Sequence, residues 1–127
     1  MRYIAKIIRG KGRGERINFP TLNLEIPKNF SFRHGIYAGW VFIGERKYQG
    51  SFHFGPIPTF GEEKISLEVF VLDAVISDPP PQISFELAAY LRAIAQFKDE
   101  KVLAAQIAED VEETKRILRI TEASSLQ

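Results

Sequence analysis

A glycine-rich basic stretch near the N-terminus is the first part of the chain that could bind a ligand. Residues 10–24 read GKGRGERINFPTLNL, in which glycines alternate with basic side chains: Gly10, Lys11, Gly12, Arg13, Gly14 and Arg16. Glycine allows close backbone approach to a ligand, and backbone N–H groups in such turns form concavities that bind anions. The stretch suits a phosphate group. Read alone, it fits a flexible basic turn between strands equally well.

Two side chains with hard oxygen atoms follow at Thr21 and Asn23. Pro20 prevents a helix there, and side chains at i and i+2 of an extended backbone point to the same side. A hydroxyl and an amide oxygen can share a magnesium ion when phosphate oxygens and water complete its shell. The alternative is a local turn that closes a bend after Pro20.

A third candidate is Glu68, which lies in the apolar segment ISLEVFVLD. Strand alternation places Leu67 and Val69 on one face, and Glu68 and Phe70 on the other. A partly desolvated carboxylate beside an aromatic ring suits a general base. The alternative is an ordinary solvated outer face.

The elements that must position these side chains are mostly short strands. Apolar, β-branched segments predict strands at residues 3–9, 36–43, 47–54 and 65–75, and residues 44–46 form a hairpin turn between two of them. Residues 55–64 carry two prolines and two glycines and predict a loop. Residues 82–97 begin like a strand and end like a short Ala-rich helix.

The C-terminal part has helical periodicity. Apolar or small side chains recur every three or four residues, at Leu103, Ile107, Val111, Thr114 and Leu118. Asp99 is the predicted N-cap, and Glu112 and Arg116 form a predicted i,i+4 pair. Five or six strands with tight turns and one terminal helix predict a small antiparallel barrel or sandwich.

Composition limits the function classes. The chain has 127 residues and no cysteine, so disulfides, thiolate metal sites and a cysteine nucleophile are excluded. With 17 basic and 16 acidic residues, the net charge of +1 favours neither a nucleic-acid nor a membrane partner. We expect a cytoplasmic monomer with one domain over residues 1–120 and a frayed tail at residues 121–127.

Five motifs in order resemble the riboflavin kinase family. They are Gly-x-Gly-Arg-Gly from Gly10, Phe-Pro-Thr-Leu-Asn-Leu from Phe19, Gly-Ile-Tyr-Ala from Gly35, Pro-Thr-Phe from Pro58 and Leu-Glu-Val from Leu67. The resemblance implies a mainly β fold, a six-stranded antiparallel Greek-key barrel with a C-terminal α-helix. It also implies transfer of the γ-phosphate of ATP to the 5′-hydroxyl of riboflavin, giving FMN and ADP.

The resemblance also implies roles for individual residues. Thr21 and Asn23 would ligate Mg²⁺ and face the phosphates, Glu68 would be the catalytic base, and residues 10–16 would close over the nucleotide. Arg92 and Phe97 are what remains of a family motif before the helix, and would contact the flavin. For Arg92, a phosphate contact and an ordinary surface arginine are the alternatives. The substrates would be riboflavin and ATP, and a chain without an adenylyltransferase domain would stop at FMN.

Two segments depart from the family pattern. Residues 74–82 read AVISDPPPQ where the family usually has a Tyr-Gly turn, and His53-Phe54-Gly55 replaces Asn-Ile-Gly. We expect His53 to be a packed, hydrogen-bonded residue and Trp40 to lie in the core. Two other functions remain open: a non-catalytic barrel that binds flavin or nucleotide, and a barrel that binds single-stranded nucleic acid through its basic N-terminus and Phe52 and Phe54.

Overall fold

The computed structural model describes residues 1–10, 12, 15 and 17–125. Within these residues the chain forms six strands and one long helix. The strands are β1 (Tyr3–Ile8), β2 (Leu22–Leu24), β3 (Gly35–Ile43), β4 (Arg46–Ile57), β5 (Glu62–Val71) and β6 (Gln82–Arg92). A 3-10 turn (Pro58–Phe60) lies between β4 and β5, and helix α1 (Glu100–Ser125) ends the described chain.

The six strands close into an antiparallel barrel, which confirms the predicted fold class. Their order around the barrel is β1-β2-β5-β4-β3-β6, and β6 pairs with β1 to complete the circle. Closure satisfies the backbone groups that an open sheet would leave at its edges. Because β2 pairs with β5 rather than with β3, residues far apart in the chain become neighbours.

The inward-facing side chains of all strands form the core. Its fully buried members include Leu24, Val41, Phe52, Leu67, Val69 and Phe85. Phe54 is also buried in this core, so neither Phe52 nor Phe54 can stack on a nucleic-acid base. Trp40, expected in the core, lies instead on the outer side of β3, where the Lys47 ammonium sits 4.1 Å from its ring centroid.

Helix α1 packs on the outer surface of β3, β4 and β6. Its predicted stripe is confirmed, because Leu103, Val111, Thr114 and Leu118 are buried. Asp99 caps the helix, and its carboxylate accepts a hydrogen bond of 2.9 Å from the Val102 N–H.

The predicted pair between Glu112 and Arg116 is wrong. Arg116 instead binds Glu113, and Glu112 lies 3.8 Å from Lys115, both at i,i+3 spacing. The helix continues through Ser125, so the fraying of residues 121–127 stays a prediction.

Two predicted boundaries fail because strand pairing overrides local composition. Residues 55–64 were expected to form a loop, but β4 continues to Ile57 and pairs with Glu62 at the start of β5. Residues 82–92 are strand throughout, since β6 is held by β1 on one side and β3 on the other. The Ala-rich end therefore extends the barrel instead of forming a helix.

Candidate active site

A row of outward-facing side chains crosses five neighbouring strands of the barrel. Asn23 on β2 lies opposite Glu68 on β5, and Glu68 lies opposite His53 on β4. His53 lies opposite Ile36 on β3, and Ile36 opposite Arg92 on β6. Directly opposed residues of adjacent strands project from the same face. We call these five residues the outer row, and it brings three of the predicted site residues together.

Glu68 is the centre of a hydrogen-bond cluster in this row. The Thr21 hydroxyl donates to its Oε1 at 2.7 Å. The Ser66 hydroxyl lies 3.3 Å from its Oε2 and 3.4 Å from the Gly55 carbonyl oxygen. Thr21 and Glu68 are 47 positions apart in the chain, and the pairing of β2 with β5 brings them into contact.

Asn23 is packed against the start of the glycine-rich stretch. A Cβ atom at position 10 would overlap the Asn23 side-chain amide, so only glycine leaves space for this amide. The predicted neighbours Gly10, Thr21 and Asn23 therefore lie together. Gly12 has φ +68°, a left-handed conformation that favours glycine. Lys11, Arg13, Gly14 and Arg16, which were predicted to bind nucleotide, lie outside the described residues.

Two open clefts flank this polar cluster. The first, which we call the loop cleft, has a volume of about 490 Å³, and its lining includes Arg9, Gly10, Gly12, Thr21, Asn23 and Pro79. The second has a volume of about 440 Å³ and shares Arg9, Gly10 and Asn23 with the first, while adding Ser66 and Glu68. Asn23 thus lines both clefts. Pro79, from the segment that departs from the family pattern, forms part of the loop cleft wall.

A narrow apolar slot lies between helix α1 and the outer face of the barrel. Its volume is about 110 Å³, and we call it the helix slot. Its apolar walls include Ile17, Phe19, Ile36, Phe60, Phe70, Leu103 and Ile107. Its polar side chains include Thr21, His53, Glu68, Arg92 and Asp110. Glu68 thus lies where the helix slot and the second open cleft meet.

Arg92 lines the helix slot but is firmly held by the helix. Its Nε and Nη2 donate to the two Asp110 oxygens at 2.9 and 2.7 Å, a fork that fixes the guanidinium. Its Nη1 donates to the Ala93 carbonyl oxygen at 3.1 Å. The predicted partner Phe97 is near, with its ring centroid 5.4 Å from the guanidinium carbon. Phe97 does not itself line the helix slot.

His53 is the main site residue that the sequence did not single out for chemistry. It is packed and hydrogen-bonded as expected, with Nε2 3.0 Å from the Pro56 carbonyl oxygen. Burial lowers the pKa of His53, an effect that the nearby Glu68 carboxylate opposes. Its Nδ1 atom is buried and has no hydrogen-bond partner among the described residues.

Ser66 and Asp110 were also missed as site residues. Ser66 precedes Glu68 by two positions on one strand, so alternation alone could have placed the two side chains together. Asp110 lies on the helix, and no local signal indicates which barrel residue it meets.

The cluster around Glu68 suits a hard cation. No group of three or more His, Asp or Glu side chains capable of holding a metal ion occurs within the part of the chain that the structure describes. The available donors are instead the Thr21 hydroxyl and the Asn23 amide, which line the loop cleft beside the Glu68 carboxylate. Mg²⁺ in nucleotide sites is held by few protein oxygens, with phosphate and water completing its shell. The residues present fit such an ion.

The comparison with protein families agrees with this geometry. The family model named Flavokinase, described as riboflavin kinase, matches residues 1–118. The chain belongs to the riboflavin kinase family. The predicted resemblance is thereby confirmed over nearly the whole sequence.

Individual relatives are distant. The chain is 31% identical over 106 residues to the bifunctional riboflavin kinase/FMN adenylyltransferase of Escherichia coli K12, covering 83% of this chain and 34% of that protein. It is 28% identical over 130 residues to the riboflavin kinase of Homo sapiens, covering 92% of this chain and 80% of the human protein. The chain therefore spans about a third of the length of the bifunctional bacterial relatives.

A solved structure supports the fold alone. The structure titled macrolide-efflux protein from Streptococcus pneumoniae superposes with a TM-score of 0.78 and 24% identity. The match covers 90% of this chain and 38% of that chain. Separately, no helix in the described part of the chain is both long and apolar enough to cross a membrane.

Proposed function

We propose that the chain transfers the γ-phosphate of ATP to the 5′-hydroxyl of riboflavin, giving FMN and ADP. The observation that carries this proposal is the contact between Thr21 and Glu68 at 2.7 Å, with Asn23 directly opposite Glu68. A base and two metal-ligand candidates, from distant parts of the chain, lie at one junction of two clefts and a slot. Membership of the riboflavin kinase family supports the same reaction.

The two sides of the junction suit the two substrates. The helix slot has aromatic and aliphatic walls, which suit the tricyclic flavin ring. The loop cleft begins at the glycine-rich stretch and carries Arg9, which suits the charged phosphates. Between them, Glu68 can reach the end of the polyol chain that projects from the flavin ring.

In the proposed reaction, Glu68 accepts the proton of the attacking hydroxyl. A new bond forms between that hydroxyl oxygen and the γ-phosphorus, and the bond from this phosphorus to the β,γ-bridging oxygen breaks. Phosphoryl transfer depends mainly on positioning and charge stabilisation, so a small set of polar groups is sufficient. The Thr21 hydroxyl donates its hydrogen to Oε1 of Glu68, so the lone pairs of the Thr21 oxygen are free for a ligand.

Thr21 and Asn23 are the residues that would hold Mg²⁺. When bound, this ion would neutralise part of the negative charge of the phosphate groups. Since the hydroxyl of Thr21 donates to Glu68, that carboxylate would also fix the orientation of the metal-binding hydroxyl.

A non-catalytic flavin-binding barrel is the main alternative, because the loop cleft wall includes the unusual proline segment. One incubation separates the two functions. The full chain is mixed with riboflavin, ATP and Mg²⁺, and the products are separated by chromatography with fluorescence detection. We expect FMN to form with time and to require both ATP and Mg²⁺. Riboflavin binding without any FMN would favour the non-catalytic barrel.

A further inference from the structure

His53 occupies the middle of the outer row, between the proposed base and the apolar part of the site. Glu68 lies on the strand next to it on one side, and Ile36 lies on the strand next to it on the other. Adjacent strands are about 5 Å apart, so each step along the row is short. His53 and Glu68 both line the helix slot, so a ligand that approaches Glu68 through the slot also lies beside His53.

The hydrogen bonding of His53 leaves one ring nitrogen without a partner. The Pro56 carbonyl oxygen can only accept a hydrogen bond, so Nε2 of His53 carries the hydrogen. In the neutral imidazole, Nδ1 is then a bare acceptor, and it has no donor within the described residues. A buried polar atom without a partner costs free energy, and this cost suggests a ligand or ordered water.

We infer that Nδ1 of His53 accepts a hydrogen bond from a hydroxyl of the polyol chain of the flavin substrate. This hydroxyl is next to the one that faces Glu68. The inference rests on the proposed function, and it makes His53 a substrate-contacting residue that selects a polyol-bearing ring over the bare ring. The depressed pKa of His53 is consistent with this role, because only the neutral ring has an acceptor.

The small volume of the helix slot agrees with the burial of Nδ1. The slot volume of about 110 Å³ is well below the roughly 300 Å³ at which ligand pockets begin. A tricyclic ring can enter only if the slot walls separate. That separation exposes the His53 ring to the ligand, and the ligand hydroxyl replaces the missing donor.

Two substitutions distinguish the two ring nitrogens. His53→Gln places an amide near the Nε2 position, so it can still donate to Pro56, but it lacks an acceptor at the δ position. His53→Asn retains an acceptor oxygen at the δ position. The dissociation constants of riboflavin and of lumiflavin, which has a methyl group in place of the polyol chain, are measured by fluorescence quenching for both variants.

We expect His53→Gln to weaken riboflavin binding about five- to tenfold and to change lumiflavin binding less than about twofold. His53→Asn should bind both flavins as the parent chain does. Thr114→Val is the matched control, because the Thr114 hydroxyl is also buried without a partner among the described residues but does not line the helix slot. This control should change neither dissociation constant.

The outcomes separate this inference from the proposed function. If His53→Gln leaves riboflavin binding unchanged, or weakens both flavins equally, while the parent chain forms FMN, the role of His53 is wrong and the kinase proposal stands. If the parent chain binds neither flavin and forms no FMN, the proposed function is wrong and the inference is lost with it.

Discussion

At the residue scale, the two carboxylate oxygens of Glu68 have different surroundings. Oε1 accepts the short hydrogen bond from Thr21, whereas Oε2 faces Ser66 at the longer distance of 3.3 Å. A short hydrogen bond to a carboxylate oxygen is strong, whereas the donor in a long hydrogen bond is readily replaced by another donor. We therefore expect Oε2 to receive the substrate hydroxyl, while Oε1 fixes the orientation of the carboxylate.

Gly10→Ala tests the packing of Asn23. The new methyl group would overlap the Asn23 amide, so this side chain must leave its place beside Glu68. We expect FMN formation to fall at least about tenfold, because misplacement of a positioning group by about 1 Å can cost a hundredfold. The measurement is the steady-state rate as a function of Mg-ATP concentration.

The control for this variant is Gly44→Ala in the β3–β4 turn. Gly44 has φ +61° and open space where the methyl group of alanine would lie, so alanine there strains only the backbone. Gly44→Ala should lower the free energy of unfolding by about 1 kcal/mol and leave the rate unchanged. A Gly10→Ala chain with the parent rate would show that Asn23 has no role in transfer.

His53 predicts a pH dependence of stability. Its ordinary pKa of 6.5 is lowered in the fold by burial, so the unfolded chain binds the proton more tightly. Its contribution to stability is therefore complete above pH 6.5 and declines as the pH falls toward the folded pKa. Urea unfolding between about pH 5 and pH 8 should show a smaller decline for His53→Asn. Parallel curves for both chains would contradict this assignment.

The sequence predicts which way a side chain points wherever apolar and polar residues alternate along a strand. The face of Glu68 followed from its apolar neighbours Leu67 and Val69, which are buried as predicted. His53 was harder, because its meeting with Glu68 depends on the register between β4 and β5. That register shifts between Gly55 and Ile57, and nothing in the local sequence reports such a shift.

At the scale of elements, the site depends on how helix α1 is fixed to the barrel. The Asp110 side chain is only 7% exposed and binds Arg92 at the end of β6. Gln106, one turn earlier, donates to the same carboxylate at 3.1 Å. These contacts set the position of the helix wall of the slot, so they also set the width of the slot.

Asp110→Ala should therefore be strongly destabilising. It leaves the largely buried Arg92 guanidinium without its fork partner, and we expect a loss of about 3 kcal/mol in the free energy of unfolding. Glu113→Ala removes an exposed partner of Arg116 and should have no measurable effect. The free energies of unfolding of both variants and of the parent chain are measured by urea denaturation, with one value of the denaturant slope m for all chains.

A double variant separates charge from packing. Asp110→Leu combined with Arg92→Met replaces the ion pair by apolar side chains and should recover most of the lost stability. If Arg92 contacts the flavin ring, the double variant should bind riboflavin more weakly than the parent chain does, although it is stable. An Asp110→Ala chain as stable as the parent would show that the fork does not hold the helix.

Elements were predictable where one local signal dominated. Asp99 and the periodic stripe identified the start and inner face of helix α1, because capping and periodicity are local properties. The prolines at 56 and 58 are the reason that a loop is predicted for residues 55–64. This prediction is wrong because the end of β4 pairs with the start of β5, where Ile57 lies opposite Glu62. The composition of residues 82–92 does not show that β1 and β3 pair with β6 and stabilise it as a strand.

At the scale of the whole molecule, the strand order of the barrel brings the residues of the site together. The strand order places β2 beside β5, so a segment near residue 21 meets one near residue 68. The spacing of residues in the sequence does not reveal this neighbourhood. It was anticipated only through the resemblance to the riboflavin kinase family, whose motifs stand in the same order along this chain.

The charge distribution of the whole molecule agrees with the small substrates that we propose. The net charge of +1 gives no strong field for a polyanion, and the aromatic pair Phe52 and Phe54 is buried inside the barrel. Glu68 lines the helix slot and the second open cleft, and Thr21 and Asn23 line the loop cleft beside it.

The most direct test of the account is the rate of FMN formation by Glu68→Gln, measured together with its riboflavin affinity. The amide keeps the size of the side chain and can still accept from Thr21, but it cannot take a proton from the substrate. We predict that the rate falls at least about a hundredfold while the dissociation constant of riboflavin changes less than about threefold. A variant that forms FMN within about tenfold of the parent rate would contradict the assignment of Glu68 as the base.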